Sequence, residues 1–250
     1  MRKYKLICCV VLLGVWPTGM TWASCLPSDA VQRLVVGVDI SKSIHLPQHA
    51  QWRTTARRLV SCMAPGERLE VFAINANTGS SAALFDRSMP VKRGETIPEL
   101  RAFIVKRNKF LMDAQTALEQ LLSAPATADD SDILGLFTHL ARHDLQPLRT
   151  RLILFTDGIN ETAELDLATT RLSPKMFQPL ITKIAQAHFW NSQTLKQAEV
   201  VRVDFVLPDE SANRKQRRVI NSDDTLGAFY RTFIVALGGD DQINFGTDLE

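Results

Sequence analysis

The residues of this chain best suited to chemistry lie in one stretch, Leu34-Val35-Val36-Gly37-Val38-Asp39-Ile40-Ser41-Lys42-Ser43. An apolar run ends on a carboxylate, and two hydroxyls follow at alternating positions. One carboxylate and two hydroxyls on a tight turn make a hard-oxygen set suited to Mg²⁺, Mn²⁺ or Ca²⁺. The same residues also suit an ordinary Asp/Ser turn after a strand, and the stretch alone leaves both readings open. The β-branched run reads as a buried, parallel-type strand. The carboxyl ends of such strands face the crevice where open α/β sheets place ligands.

A second stretch, Arg151-Leu152-Ile153-Leu154-Phe155-Thr156-Asp157-Gly158, repeats the design: an apolar run, a carboxylate at its end and a glycine to turn the chain. The spacing Asp39-x-Ser41-x-Ser43, followed far downstream by Thr156-Asp157-Gly158, resembles the von Willebrand factor type A (vWA) domain and its metal-ion-dependent adhesion site (MIDAS). Between these motifs the family usually has a threonine in a loop that opens a helix. Asp130-Ser131-Asp132-Ile133-Leu134-Gly135-Leu136 resembles that segment, with Ser131 in place of the threonine. The resemblance covers roughly residues 31 to 240. It implies a doubly wound, Rossmann-like vWA fold and a metal site built from Asp39, Ser41, Ser43, Ser131 and Asp157. With few carboxylates in the set, the ion, Mg²⁺ or alternatively Mn²⁺ or Ca²⁺, keeps open positions for an Asp or Glu from a protein partner.

The elements that must position these residues alternate along the chain. A helix is expected near Gln48 to Met63, where Trp52, Ala56, Leu59, Val60 and Met63 share one face, with Pro65-Gly66 ending it. Arg68 to Ile74 reads as the second strand, and Ala82 to Arg87 as a short antiparallel edge strand. Two helices are expected near Pro98 to Val105 and Phe110 to Leu122. The loop Ala124 to Asp130 then delivers Ser131 to a helix at Ile133 to Ala141, where Ser131 or Asp132 also suits the helix N-terminus. A helix near Pro174 to Ala187, a strand at Val200 to Val206 and a helix at Leu226 to Leu237, stopped by Gly238-Gly239, complete the reading. Only one strand is expected between Asp157 and the last helix, where the family usually has two. The result is an α/β fold with a mostly parallel sheet covered on both faces and one antiparallel edge strand.

Arg2, Lys3 and Lys5 precede an apolar run from Leu6 to Trp16, and small residues follow near Ala23 and Ser24. That order describes a secretory signal peptide over residues 1–24. The run is too short for a spanning helix, which needs about twenty apolar residues. Residues 25–250 then form one vWA-like domain in the periplasm or outside the cell. Ala23-Ser24-Cys25 also ends like a bacterial lipobox, although Trp22 departs from the leucine of that pattern. A membrane role follows only if Cys25 is lipidated or the signal is retained. The whole chain has 29 basic and 27 acidic side chains; without residues 1–24 it has 26 and 27, a net charge of −1. A near-neutral chain gives no electrostatic reason to expect nucleic acid. The run Arg214-Lys215-Gln216-Arg217-Arg218 is offset by Asp209, Glu210, Asp223 and Asp224 and reads as a solvated face. Of the four cysteines, Cys8 and Cys9 lie in the signal segment. Cys25 and Cys62 remain, and in an oxidising compartment they are expected to form a disulfide; the alternative is a buried Cys62 and a free Cys25.

Other motifs lead elsewhere. His139 and His143 are four apart on a helix, but Leu140 stands where a metalloprotease has glutamate, so surface positions are expected. Asp223-Asp224 suits a helix start. Asn160-Glu161-Thr162 matches a glycosylation acceptor beside the metal residues, where a glycan would obstruct access, which favours a bacterial periplasmic protein that leaves it unused. No phosphate loop, nucleophile elbow or His-anchored triad is present. The reading is therefore an exported, non-enzymatic binding module whose metal is completed by a partner's carboxylate. A structural subunit of a bacterial secretion or conjugation assembly and a metal-dependent hydrolase are the alternatives. Intact-mass measurement of exported protein should show the loss of residues 1–24; retention of Met1 to Ser24 contradicts release, and an added lipid mass on Cys25 selects the anchored form.

Overall fold

The structure is a computed structural model and describes residues 31–44, 46–142, 148–208, 221–247 and 249. Six strands, β1 (Arg33–Asp39), β2 (Arg68–Ile74), β3 (Phe85–Ser88), β4 (Thr150–Phe155), β5 (Val200–Val206) and β6 (Ile243–Gly246), form one sheet. Their order is β3-β2-β1-β4-β5-β6. Every pairing is parallel except that of β2 with β3, which is antiparallel and lies at the edge. The helices are α1 (Leu46–Ser61), α2 (Ile97–Ser123), α3 (Ile133–Arg142), α4 (Pro174–Ala187), α5 (Thr194–Gln197) and α6 (Asp223–Ala236), with a single 3₁₀ turn at Thr78–Ser80. The chain is thus a mixed α/β fold.

The two central strands, β1 and β4, are buried along their whole length. That is why both read as unbroken apolar runs rather than as alternating ones. Successive residues still point to opposite faces. Val35, Phe72, Leu152 and Leu154 pack with α3, α4 and α6 on one side, and Val36, Val38, Val71, Ile153 and Phe155 pack with α1 and α2 on the other. At Gly37 the first face leaves no room for a side chain. A Cβ there would lie 2.4 Å from Leu136 Cδ1 and 2.9 Å from Ile74 Cδ1. The missing side chain lets α3 sit close on β1, and α3 is the helix that follows Ser131.

Two expectations are corrected. The pair of helices at 98–105 and 110–122 is one 27-residue helix, α2. The intervening Lys106-Arg107-Asn108-Lys109 contains no breaker, and Lys109 bonds Asp113 one turn on, which supports a helix there. A capping box at Thr96 and Glu99 starts it. The second correction is β6, which sequence reading missed. It follows α6 and pairs with β5, and its four residues give too short an alternation to register as a strand. Elsewhere Pro174–Ala187 and Val200–Val206 have the expected bounds. Asp223 and Asp224 lie in the first turn of α6 beneath the Ser222 cap.

Near the amino ends of the central strands, buried carboxylates meet arginines. Arg33 donates to both oxygens of Glu70 at 2.9 and 2.8 Å, and Arg151 donates to Asp204 at 2.7 Å. Burial pushes the Glu70 carboxyl up, but the hydrogen bonds from His139 and Arg33 and the arginine charges outweigh it and bring it to about 2. Among the described residues no helix is long and apolar enough to cross a membrane. Replacing Gly37 with valine should displace α3 and destabilise the fold by about 1–3 kcal/mol, read as a lowered denaturant midpoint; an unchanged midpoint would mean that α3 is not seated as described.

Candidate functional site

From β1 the chain goes to β2 on one side, and from β4 to β5 on the other. The loops leaving the carboxyl ends of β1 and β4 therefore diverge, which opens a cleft between them. Asp39 is the last residue of β1. Its Oδ1 accepts the Ser41 backbone N–H at 2.9 Å, which closes the turn. The loop after α2 is stitched to this turn: Lys42 N–H donates to the Ala128 carbonyl, and Thr127 N–H donates to that of Ile40. This loop carries Ser131 into the cleft. Asp132, next to it, accepts the Gly135 N–H at 2.8 Å and so caps α3. The alternative left open by the sequence is resolved: Asp132 serves the helix, and the Ser131 hydroxyl serves the cleft.

All five residues expected at the site come together. Ser131 Oγ donates to Asp39 Oδ2 at 2.7 Å. Ser41 Oγ and Ser43 Oγ are 2.8 Å apart, and Ser43 Oγ donates to Asp157 Oδ2 at 3.0 Å. Asp157 Oδ1 accepts the Ile159 N–H at 2.9 Å. The turn that holds Asp157 depends on Gly158, whose φ is +77° and whose Cβ, if present, would lie 2.9 Å from Phe245 Cζ. Tyr230 fixes this turn by donating its hydroxyl to the Gly158 carbonyl at 3.0 Å.

Two contributors were not singled out from the sequence. Thr156, named there only as part of the Thr156-Asp157-Gly158 motif and given no role of its own, donates its hydroxyl to Asp39 Oδ2 at 2.8 Å. Glu161 belongs to a turn without periodicity, and its N–H donates to the Ser131 carbonyl at 2.7 Å. With Asp130, Asp132, Glu164 and Asp166 it lines an open polar groove of about 730 Å³ beside the cluster.

The electrostatics of this end differ from those of the arginine end. Asp39, Ser41, Ser131 and Thr156 are buried, and Asp157 nearly so. Burial first, and the neighbouring Asp157 charge second, push the Asp39 carboxyl up to about 6, against the hydrogen bonds from Ser41 and Ser131. Burial and then the charges of Asp157, Asp39, Asp130 and Asp166 push Glu161 to about 7. Neither Asp39 nor Glu161 has a cationic side-chain partner among the described residues. A buried carboxylate that meets hydroxyls and another carboxylate, while those elsewhere in the sheet meet arginine, has the character of a cation ligand. Two carboxylates and three serine hydroxyls fit a hard divalent ion. Asp39 and Asp157 would supply the charge, and Ser41, Ser43 and Ser131 neutral oxygens.

Other expectations change. His139 is not a surface residue: its ring meets Phe72 edge-on at 4.4 Å and its Nε2 lies 3.5 Å from Glu70; His143 lies outside the described residues. Asn160 is buried. Its amide donates to Thr162 and the Leu165 carbonyl and accepts the Leu134 N–H, so it ties the loop after β4 to α3 and offers no acceptor for a glycan. Cys62 follows α1 and is half-buried. Cys25, the signal segment and the basic run 214–218 lie outside the described residues.

No family model matches the chain, and no curated protein matches it. Among solved structures it is similar to the PilB minor pilin from Streptococcus sanguinis, at 11% identity and a TM-score of 0.44, over 84% of this chain and 56% of that one.

A carboxyl held above its ordinary value costs stability once it ionises. The cost is absent below the ordinary value and grows as pH rises through the raised one, from 3.8 to about 6 for Asp39 and from 4.5 to about 7 for Glu161. In chelator, the Tm of Asp39→Asn relative to the parent should therefore rise between pH 5 and pH 8. A difference that is flat with pH would show that the Asp39 charge is already compensated within the protein.

Proposed function

We propose that this chain is an exported, vWA-like binding module that holds a divalent cation in a MIDAS-type site and uses it to engage a protein partner through an Asp or Glu. The observation that carries this reading is the convergence of Asp39, Ser41, Ser43, Ser131 and Asp157, from three separate loops, around a buried carboxylate with no cationic side chain against it. The strand order, with its antiparallel edge strand, supports a doubly wound arrangement of the vWA type. In that arrangement the cleft between β1 and β4 is the switch point where ligands bind.

The chemistry follows from the ligand set. Mg²⁺, or Mn²⁺ or Ca²⁺ in its place, is not charge-saturated by two carboxylates and three neutral oxygens, and retains affinity for another anionic oxygen. A partner's carboxylate supplies it. The reading assigns binding and no catalytic step. Export rests on the sequence of residues 1–24, and the same compartment favours a Cys25–Cys62 bridge between the mature N-terminus and the end of α1.

The test is capture of envelope proteins on the tagged chain with Mg²⁺, with chelator, and on Asp39→Ala. A partner retained with Mg²⁺ and lost in both other arms is the expected result. A partner retained equally in all three makes the chain a metal-independent structural adaptor instead.

A further inference from the structure

Helix α2 buries only its second half. Its buried residues begin at Phe110 and continue through Ala114, Ala117, Leu118, Leu121 and Leu122, on the α1 side of the sheet. Toward the amino end apolar residues recur at Ile104, six residues before Phe110, and continue at four- and three-residue spacing through Leu100 and Ile97; these three are 46%, 41% and 68% exposed. Val91, before the helix, is also exposed, as is every residue from 91 to 102. The first turns of α2 and their approach therefore form an arm whose apolar stripe no other part of the described chain covers.

The arm is also basic. Between Val91 and Lys109 lie Lys92, Arg93, Arg101, Lys106, Arg107 and Lys109, against Glu95 and Glu99. Glu99 is engaged in the capping box, and Lys109 is paired with Asp113. The other five cations have no acidic partner among the described residues.

We propose that this arm lies on an anionic phospholipid surface. Such a surface offers negative headgroups for the cations and, a few ångströms deeper, an acyl layer for Ile97, Leu100 and Ile104. A second copy fits less well. Pairing arm with arm sets two cationic segments against each other, which is unfavourable. The groove beside the cleft carries the complementary charge, but Asn77, Ser80, Thr138 and its carboxylates cannot cover an apolar stripe. Geometry adds a consequence. Helix α2 runs from the arm to the loop stitched onto Ser41, and its 27 residues span about 40 Å. The arm and the loop stitched onto Ser41 therefore lie at opposite ends of one helix. The inference depends neither on the metal nor on how the N-terminus is processed.

The test is cosedimentation of the exported protein with vesicles of phosphatidylglycerol and phosphatidylcholine, or of phosphatidylcholine alone. Binding to the anionic vesicles only is expected, weakened by salt. Leu100→Asp/Ile104→Asp and, separately, Arg101→Glu/Lys106→Glu should each reduce it by about tenfold or more. All four side chains are exposed, and the unfolding midpoint of each variant should match the parent's. Absence of binding, equal binding to neutral vesicles, or binding unaffected by either double variant overturns the proposal. Self-association in solution that Leu100→Asp/Ile104→Asp disperses, with no vesicle binding, overturns it in favour of a second copy.

Discussion

Asp39 is a carboxylate buried at the end of a central strand, held by hydroxyls and a backbone N–H and faced by a second carboxylate. An ionised carboxylate is costly to bury unless positive charge or enough hydrogen bonds compensate it. Three donors reach Asp39, yet its proton affinity remains raised, so they fall short of full compensation. The sheet deals with its other buried carboxylates in the opposite way. Glu70 and Asp204 each face arginine, and the charge is neutralised within the chain. Glu70 and Asp204 are therefore compensated within the chain, and Asp39 only in part.

The fold sustains this imbalance through rigid neighbours. Ser131 and Thr156 reach the same oxygen of Asp39 from different loops. The close seat of α3 over Gly37, the Asp132 cap and the Asn160 tether fix the first loop, while Tyr230 and the left-handed Gly158 fix the second. Together they hold the Ser131 and Thr156 hydroxyls against Asp39.

Most of the frame was legible in the sequence because burial leaves a clear signature there. The unbroken apolar runs ending at Asp39 and Phe155, the face of α1 and the Pro174 helix start all follow from residue type and spacing. That Asp39, Ser41, Ser43, Ser131 and Asp157 come together was legible as well, because their spacing resembles a known pattern. What escaped depends on three-dimensional neighbours. β6 is a strand only because β5 lies beside it. The unity of α2 depends on the absence of any breaker at 106–109. His139 becomes an interior residue because Phe72 and Glu70 enclose it. Glu161 acquires its raised proton affinity from burial and from carboxylates up to more than a hundred positions away.

The most direct measurement is calorimetric titration of the protein at pH 8 with Mn²⁺ and Mg²⁺, alongside Asp39→Ala checked for fold by circular dichroism. One ion per chain, bound at or below millimolar concentration by the parent and not by the variant, with matching spectra, is the predicted result. No binding by the parent at millimolar ion would contradict a cation site and leave the cluster a hydrogen-bonded lock between β1 and β4.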